Sequence, residues 1–165
     1  MKTYKLLTPG PLTTTDSVKQ EMLFDHCTWD EDYKQITQRI RRELLQLAHV
    51  DETAYTTVLM QGSGTFGVES VISSVIPDDG CLLLLSNGAY GERIAAMCRY
   101  HHISCVHIAQ DYDKIPDRMK AEEALKQHPE ITHIAMIHSE TTTGILNDIQ
   151  SIGELAKTYH KVFIV

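Results

Sequence analysis

Two runs, CLLLLS from Cys81 and ITHIAMIH from Ile131, are apolar throughout rather than alternating between polar and apolar positions. A strand that faces water on one side alternates, so these two require cover on both faces. Stretches of helical spacing separate the strand-like runs. The expected order after about residue 50 is strand Tyr55 to Met60, helix Thr65 to Ile76, strand Cys81 to Ser86, helix Tyr90 to His101 and strand Ile103 to Ala109. Helix Pro116 to Gln127, strand Ile131 to His138, helix Ile149 to Tyr159 and strand Lys161 to Val165 follow. This alternation is the pattern of an α/β domain whose mostly parallel sheet is covered by helices.

Ahead of that series, residues 1–14 read as an extended arm, because Pro9 and Pro11 remove backbone donors. A helix is expected from Asp16 to Phe24. A longer one should begin at the capping box Thr28-Trp29-Asp30-Glu31 and reach His49, with Tyr33, Ile36, Ile40, Leu44 and Leu47 forming one buried stripe. Pro116 suits a first helical position, and Pro77-Asp78-Asp79-Gly80 suits a turn. The last run, KVFIV, reads as a buried strand that stops on the ligand side of the sheet, so a truncated polypeptide is expected.

The net charge of -7 and the lack of a basic run leave no phosphate-backbone footprint for nucleic acid. No apolar stretch approaches the ~20 residues that span a bilayer, and the amino terminus lacks a signal-peptide core. The four cysteines, Cys27, Cys81, Cys98 and Cys105, form no C-x-x-C pair and read as reduced thiols. A cytoplasmic location follows as the expectation.

The segment QGSGTFGVES contains a literal G-x-G-x-x-G at Gly62, Gly64 and Gly67. A dinucleotide site also needs an acid at the end of the next strand to hold the ribose, and that strand ends Leu85-Ser86-Asn87-Gly88 instead. A Walker loop needs Lys-Ser or Lys-Thr after the glycines, which is also missing. The loop offers free amides at a helix start together with the Ser63 and Thr65 hydroxyls, which suits a phosphate monoester. The bland alternative is a tight turn in which glycine lets helix pack on strand.

Two more strand ends share that edge. Asn87-Gly88-Ala89-Tyr90-Gly91 presents an aromatic between glycines, and Ser139-Glu140-Thr141-Thr142-Thr143-Gly144 presents a cluster of hydroxyls. A phosphate cup, a stacking ring and hydroxyl donors together suit a flat, phosphorylated aromatic cofactor such as pyridoxal phosphate (PLP). Among nine histidines none has metal-site spacing, and no metal is expected; His138, beside the hydroxyl cluster, is the best placed for a direct role. Lys114 lies on the ligand side, but Asp111 and Asp113 favour its protonated form and oppose nucleophilicity.

The segments LLTPGPLTTTDSVKQEML, FDHCTWDEDY, LMQGSGTFGVESV, SNGAYGERI and IAMIHSETTTGILN, in that order, closely resemble the amino-terminal part of the 2-aminoethylphosphonate:pyruvate aminotransferases. These are class V, fold-type I PLP enzymes, and the resemblance covers essentially the whole chain. It implies that residues 15–165 are the amino-terminal part of the PLP-binding large domain. It implies also that Ser63, Gly64 and Thr65 hold the cofactor phosphate, that Tyr90 stacks on the pyridine ring, and that Thr141 or Thr143 bonds near the phenolic oxygen or the substrate. The family further implies an amino donor and pyruvate as substrates, and a homodimer. Its pyridinium aspartate and its Schiff-base lysine are expected beyond Val165, so no catalytic residue is assigned in this chain. Another class V activity, serine or alanine with glyoxylate, and a noncatalytic phosphate-binding fragment are the alternatives.

Overall fold

The computed structural model describes residues 4–165, so the start of the expected arm, Met1 to Thr3, lies outside the described residues. The chain divides into two compact units, Met1–Ser63 and Gly64–Val165.

In the first unit, helix α1 covers Asp16–Glu21, shorter than expected, with Thr15 as its cap residue. Helix α2 covers Glu31–Leu47, and its cap is Asp30 rather than the expected Thr28, with no side-chain cap bond. The expected stripe is correct in spacing but not in burial: Ile36, Ile40 and Leu44 keep 49%, 39% and 40% of their surface, and Leu47 keeps 76%. Amphipathic spacing states which face could be covered; among the described residues, this unit forms no sheet to cover it. The expected strand Tyr55 to Met60 does not form. Its polar groups are held by α2 instead: Arg41 Nε donates to Thr57 O (3.0 Å), Arg41 Nη2 donates to Thr56 Oγ1 (2.7 Å), and Thr57 Oγ1 donates to Arg41 O (3.0 Å).

The second unit opens with α3 (Gly64–Val75) and continues β1 (Cys81–Ser86), α4 (Ala89–Tyr100), β2 (Ser104–Ala109), α5 (Arg118–Gln127) and β3 (Ile131–Met136). A short hairpin, β4 (Ser139–Glu140) and β5 (Ile145–Leu146), then precedes α6 (Ile149–Thr158) and β6 (Val162–Ile164). β3 ends at Met136, two residues short of the expected His138, and the hairpin begins just past that position. Asp117, not Pro116, starts α5, its carboxylate accepting from Met119 N (2.8 Å). The turn before β1 forms as expected, with Gly80 N donating to Pro77 O (2.8 Å).

The sheet order is β2-β1-β3-β6, parallel throughout. All six residues of β1 are buried, as its composition required. Alternate residues feed two cores. Leu83, Leu85, Ile134 and Met136 pack with Ala121, Leu125, Ile152 and Leu155 of α5 and α6, while Leu82, Leu84 and Ala135 pack with Ile72, Ile94 and Cys98 of α3 and α4. Helices therefore cover both faces, the arrangement that makes unbroken apolar strands stable. β6 departs from expectation: among the described residues it pairs with β3 alone, and Val162 is 52% exposed, because an edge strand has one neighbour.

All four cysteines are free thiols. Cys105 is pushed well above the ordinary thiol range by its hydrogen bond with Cys98 and by burial. Among the described residues, no helix is long and apolar enough to cross a membrane.

Candidate active site

In the strand order, β2 lies on one side of β1 and β3 on the other, so the chain reverses direction across the sheet at β1. The crevice at the carboxyl ends of strands flanking such a reversal is where α/β sheets hold ligands. The loop after β1 and the loop after β3 both open there, and they carry Tyr90 and Thr141 to Thr143.

Tyr90 is the second residue of α4 and keeps 37% of its surface exposed. Arg93, one helical turn on, lies over its ring at 5.0 Å from the centroid. The same guanidinium donates to Thr65 Oγ1 (2.8 Å) in the first turn of α3. Arg93 thus ties the expected phosphate hydroxyl to the expected stacking ring. An i, i+3 spacing from Tyr90 is a signal that could have located it in the sequence.

Gly64 and Thr65 begin α3, as the glycine loop requires, although the segment before them is extended chain rather than a paired strand. A Cβ built on Gly64 or Gly67 would meet nothing within 4 Å. Close helix-on-strand packing therefore does not explain these glycines; the space beside them is open. Ser63 is the last residue of the first unit and is exposed.

The hydroxyl cluster separates into three roles. Thr143 Oγ1 accepts from Ile145 N (3.3 Å) and donates to Glu140 O (3.5 Å), so it stabilises the turn between β4 and β5. Gly144 completes that turn with φ of 77°, in the left-handed region, its N-H donating to Glu140 O (2.8 Å). Thr142 Oγ1 donates to Glu140 Oε1 (2.7 Å) and accepts from Ala89 N (3.1 Å), linking the turn to α4. Thr141 is exposed at the tip.

Beneath this cluster lies a carboxylate to which the sequence assigns no part. Glu140 is fully buried, and its carboxylate takes bonds from the amides of Tyr90, Gly91 and Thr142. An acid set among hydroxyls, opposite a helix that lacks its own cap residue, was the available signal. Below it, Asn87 and Asn147 form a buried amide pair. Beside it, Ser86 Oγ lies 2.7 Å from His107 Nε2 and 2.9 Å from Glu92 Oε1.

Lys114 stays away from nucleophilic chemistry as its neighbours suggested. Its ammonium binds Asp111 (2.7 Å), and that bond with the nearby Asp113 raises its pKa above the usual lysine range. His138 is exposed and contributes its backbone oxygen, which accepts from Asn147 N (2.7 Å).

Residues 25–165 match the family model for class V aminotransferases. The chain is 55% identical over its whole length to a 2-aminoethylphosphonate–pyruvate transaminase of Lysinibacillus sphaericus, of which it covers 45%. It is 53% identical over 98% of its length to the protein of that name from Bacillus cytotoxicus, covering 44% of it. The chain thus spans about half the length of these curated relatives. Among solved structures, alanine–glyoxylate aminotransferase from Nostoc sp. superposes with a TM-score of 0.88 at 22% identity, over 99% of this chain and 43% of that one. Pyridoxamine-pyruvate aminotransferase from Mesorhizobium loti gives 0.84 at 22% identity, over 98% and 41%. Both show the fold of this chain to be that of the aminotransferases.

Proposed function

Because this chain belongs to the class V aminotransferases, we propose that it forms part of a PLP-dependent enzyme that moves the amino group of 2-aminoethylphosphonate to pyruvate, giving phosphonoacetaldehyde and alanine. The substrate assignment rests on the relatives that share 53–55% of its residues. The observation in the structure that carries the cofactor assignment is the Arg93 bridge between Thr65 and Tyr90. The donor set fits a phosphorylated aromatic ring: amides at the start of α3, the Thr65 hydroxyl and a guanidinium for the phosphate, and a tyrosine face for the ring.

When bound, PLP supplies the electron sink that lets an amine lose and regain its α-proton. The residues of this chain bind and orient. Gly64 and Thr65, with Ser63 next to them in sequence, hold the phosphate, and Arg93 adds the positive charge that the glycine loop lacks. Tyr90 lies against the ring. Thr141, exposed at its turn, is better placed than the turn-bound Thr143 to donate to the cofactor or substrate. No lysine of this chain is assigned a covalent role, since Lys114 is held as a paired ammonium. The 165-residue chain alone is therefore expected to bind without turning over. The full-length enzyme is assigned to the cytoplasm, as a symmetric dimer.

Alanine formation from pyruvate by the full-length protein, with 2-aminoethylphosphonate as donor, tests the reading. Serine or alanine with glyoxylate serves as the competing pair. Transfer only to glyoxylate would replace the phosphonate assignment with another class V activity.

A further inference from the structure

We propose that Glu140 is a positioning residue that locks the Tyr90 ring and the SETTTG turn into a single wall of the ligand site; this rests on the reading of that site given above. The first turn of a helix leaves amide donors without partners, and the residue before the helix usually satisfies them through its own side chain. α4 cannot do this, because its cap residue is Gly88.

The missing acceptors arrive from the end of β4. Glu140 Oε1 accepts from Tyr90 N (3.4 Å), Thr142 N (3.1 Å) and Thr142 Oγ1 (2.7 Å), and Oε2 accepts from Gly91 N (3.4 Å). Thr142 Oγ1 then takes the amide of Ala89 (3.1 Å). Every amide from Ala89 to Gly91 is thereby bonded to the turn. A carboxylate at a helix amino terminus is also favoured by the helix dipole.

Two consequences separate this arrangement from an ordinary cap. The amides of α4 are already satisfied by protein, so Tyr90 offers the ligand its ring and not its backbone. The cap also belongs to the loop that carries Thr141, so moving one wall of the site moves the other. Gly88 is part of the same device: a Cβ there would stand 2.3 Å from Glu140 Cδ, so a larger residue would push the carboxylate off the α4 amides. A serine at position 88 would cap α4 locally, but the carboxylate would have no room.

That exclusion supplies the test, made on the full-length protein by PLP titration, visible circular dichroism of the bound cofactor and thermal unfolding. E140Q must turn its amide nitrogen toward an N-H donor, and is expected to weaken PLP binding roughly tenfold and to reduce the cofactor's ellipticity. In G88S/E140A, the serine caps the helix in the space that Glu140 vacates. It is expected to recover thermal stability relative to E140A without recovering affinity or ellipticity. Recovery of all three would overturn the proposal, since Glu140 would then be a cap and nothing more, as would wild-type binding by E140Q. If the wild type binds no PLP, the cofactor reading fails instead. Amide exchange in the ligand-free protein then decides: faster exchange in E140Q at both 89–91 and 142–144 supports the coupling, and a change confined to 89–91 overturns it.

Discussion

Asn87 and Asn147 exchange two amide hydrogen bonds, Asn87 Nδ2 to Asn147 Oδ1 at 2.8 Å and Asn147 Nδ2 to Asn87 Oδ1 at 3.0 Å, with both residues buried. Their remaining N-H groups donate to Lys114 O (2.9 Å) and Ile137 O (2.8 Å), so one amide pair holds the loops after β1, β2 and β3 together.

Truncating either member strands the other. Asn87→Ala is expected to lower unfolding free energy by about 2–3 kcal/mol, since buried polar groups lose their partners. Urea denaturation measures the loss. The double variant N87A/N147A should cost less than the sum of the two single variants, because they share the same bonds.

Gly91 packs against the end of β1: a Cβ there would lie 2.4 Å from Ser86 Cβ and 3.0 Å from Ser86 Cα. The obstacle includes backbone, which cannot rotate aside. Gly91→Ala is therefore expected to destabilise by roughly 1–3 kcal/mol, the range for overpacking. Ser86→Ala should give no relief, because its Cβ remains, whereas Ser86→Gly should recover part of the loss. Thermal unfolding of G91A, G91A/S86A and G91A/S86G checks the order.

His133 is buried in β3, and that burial holds its pKa below the ordinary histidine value, outweighing an opposing backbone bond. The unfolded imidazole takes a proton near pH ~6.5, while the folded one resists until the pH is lower. Unfolding therefore takes up protons in that window, and stability falls as pH drops through it. His133→Gln is expected to flatten this part of the profile between about pH 7 and 5. Equal slopes in both proteins would show that other groups set the acid dependence.

Arg93 serves Thr65 and Tyr90 together, which makes its loss distinguishable from that of either partner. Arg93→Ala is expected to weaken PLP binding roughly tenfold, the scale of one charge-assisted bond. Added salt should narrow the gap between variant and wild type. Arg93→Lys keeps the charge without the planar fork and should fall between them. Fluorescence or absorbance titration provides the constants.

The architecture was legible wherever a residue's environment is dictated by its own strand. CLLLLS could only be a strand with two covered faces, and β1 has the limits its composition suggested. Burial of the α2 stripe was not legible, because spacing describes a helix and not what lies against it. Tyr55 to Met60 has strand composition, but pairing depends on a second segment and Arg41 took its polar groups first. In the candidate site, the exposed groups announced themselves through glycines and hydroxyls. Asn147 acts across a long stretch of sequence, and such a contact leaves no local pattern. Arg93 and Glu140 carry weaker signals, a one-turn spacing from Tyr90 and an acid among hydroxyls, whose meaning depends on distant partners. Glu140 lies inside the SETTTG motif, where its neighbours' hydroxyls conceal its part.

The segment from Ser86 to Gly91 also bears on how freely this sequence can drift. Asn87 answers to Asn147, Gly88 to Glu140 and Gly91 to Ser86, each through a different physical demand. Only Ala89 is held through its backbone alone, by Thr142. A library randomised over these positions should return wild-type residues nearly everywhere except at 89. Drift at 88 is open only in company with 140, so these two positions are bound to change together or stay.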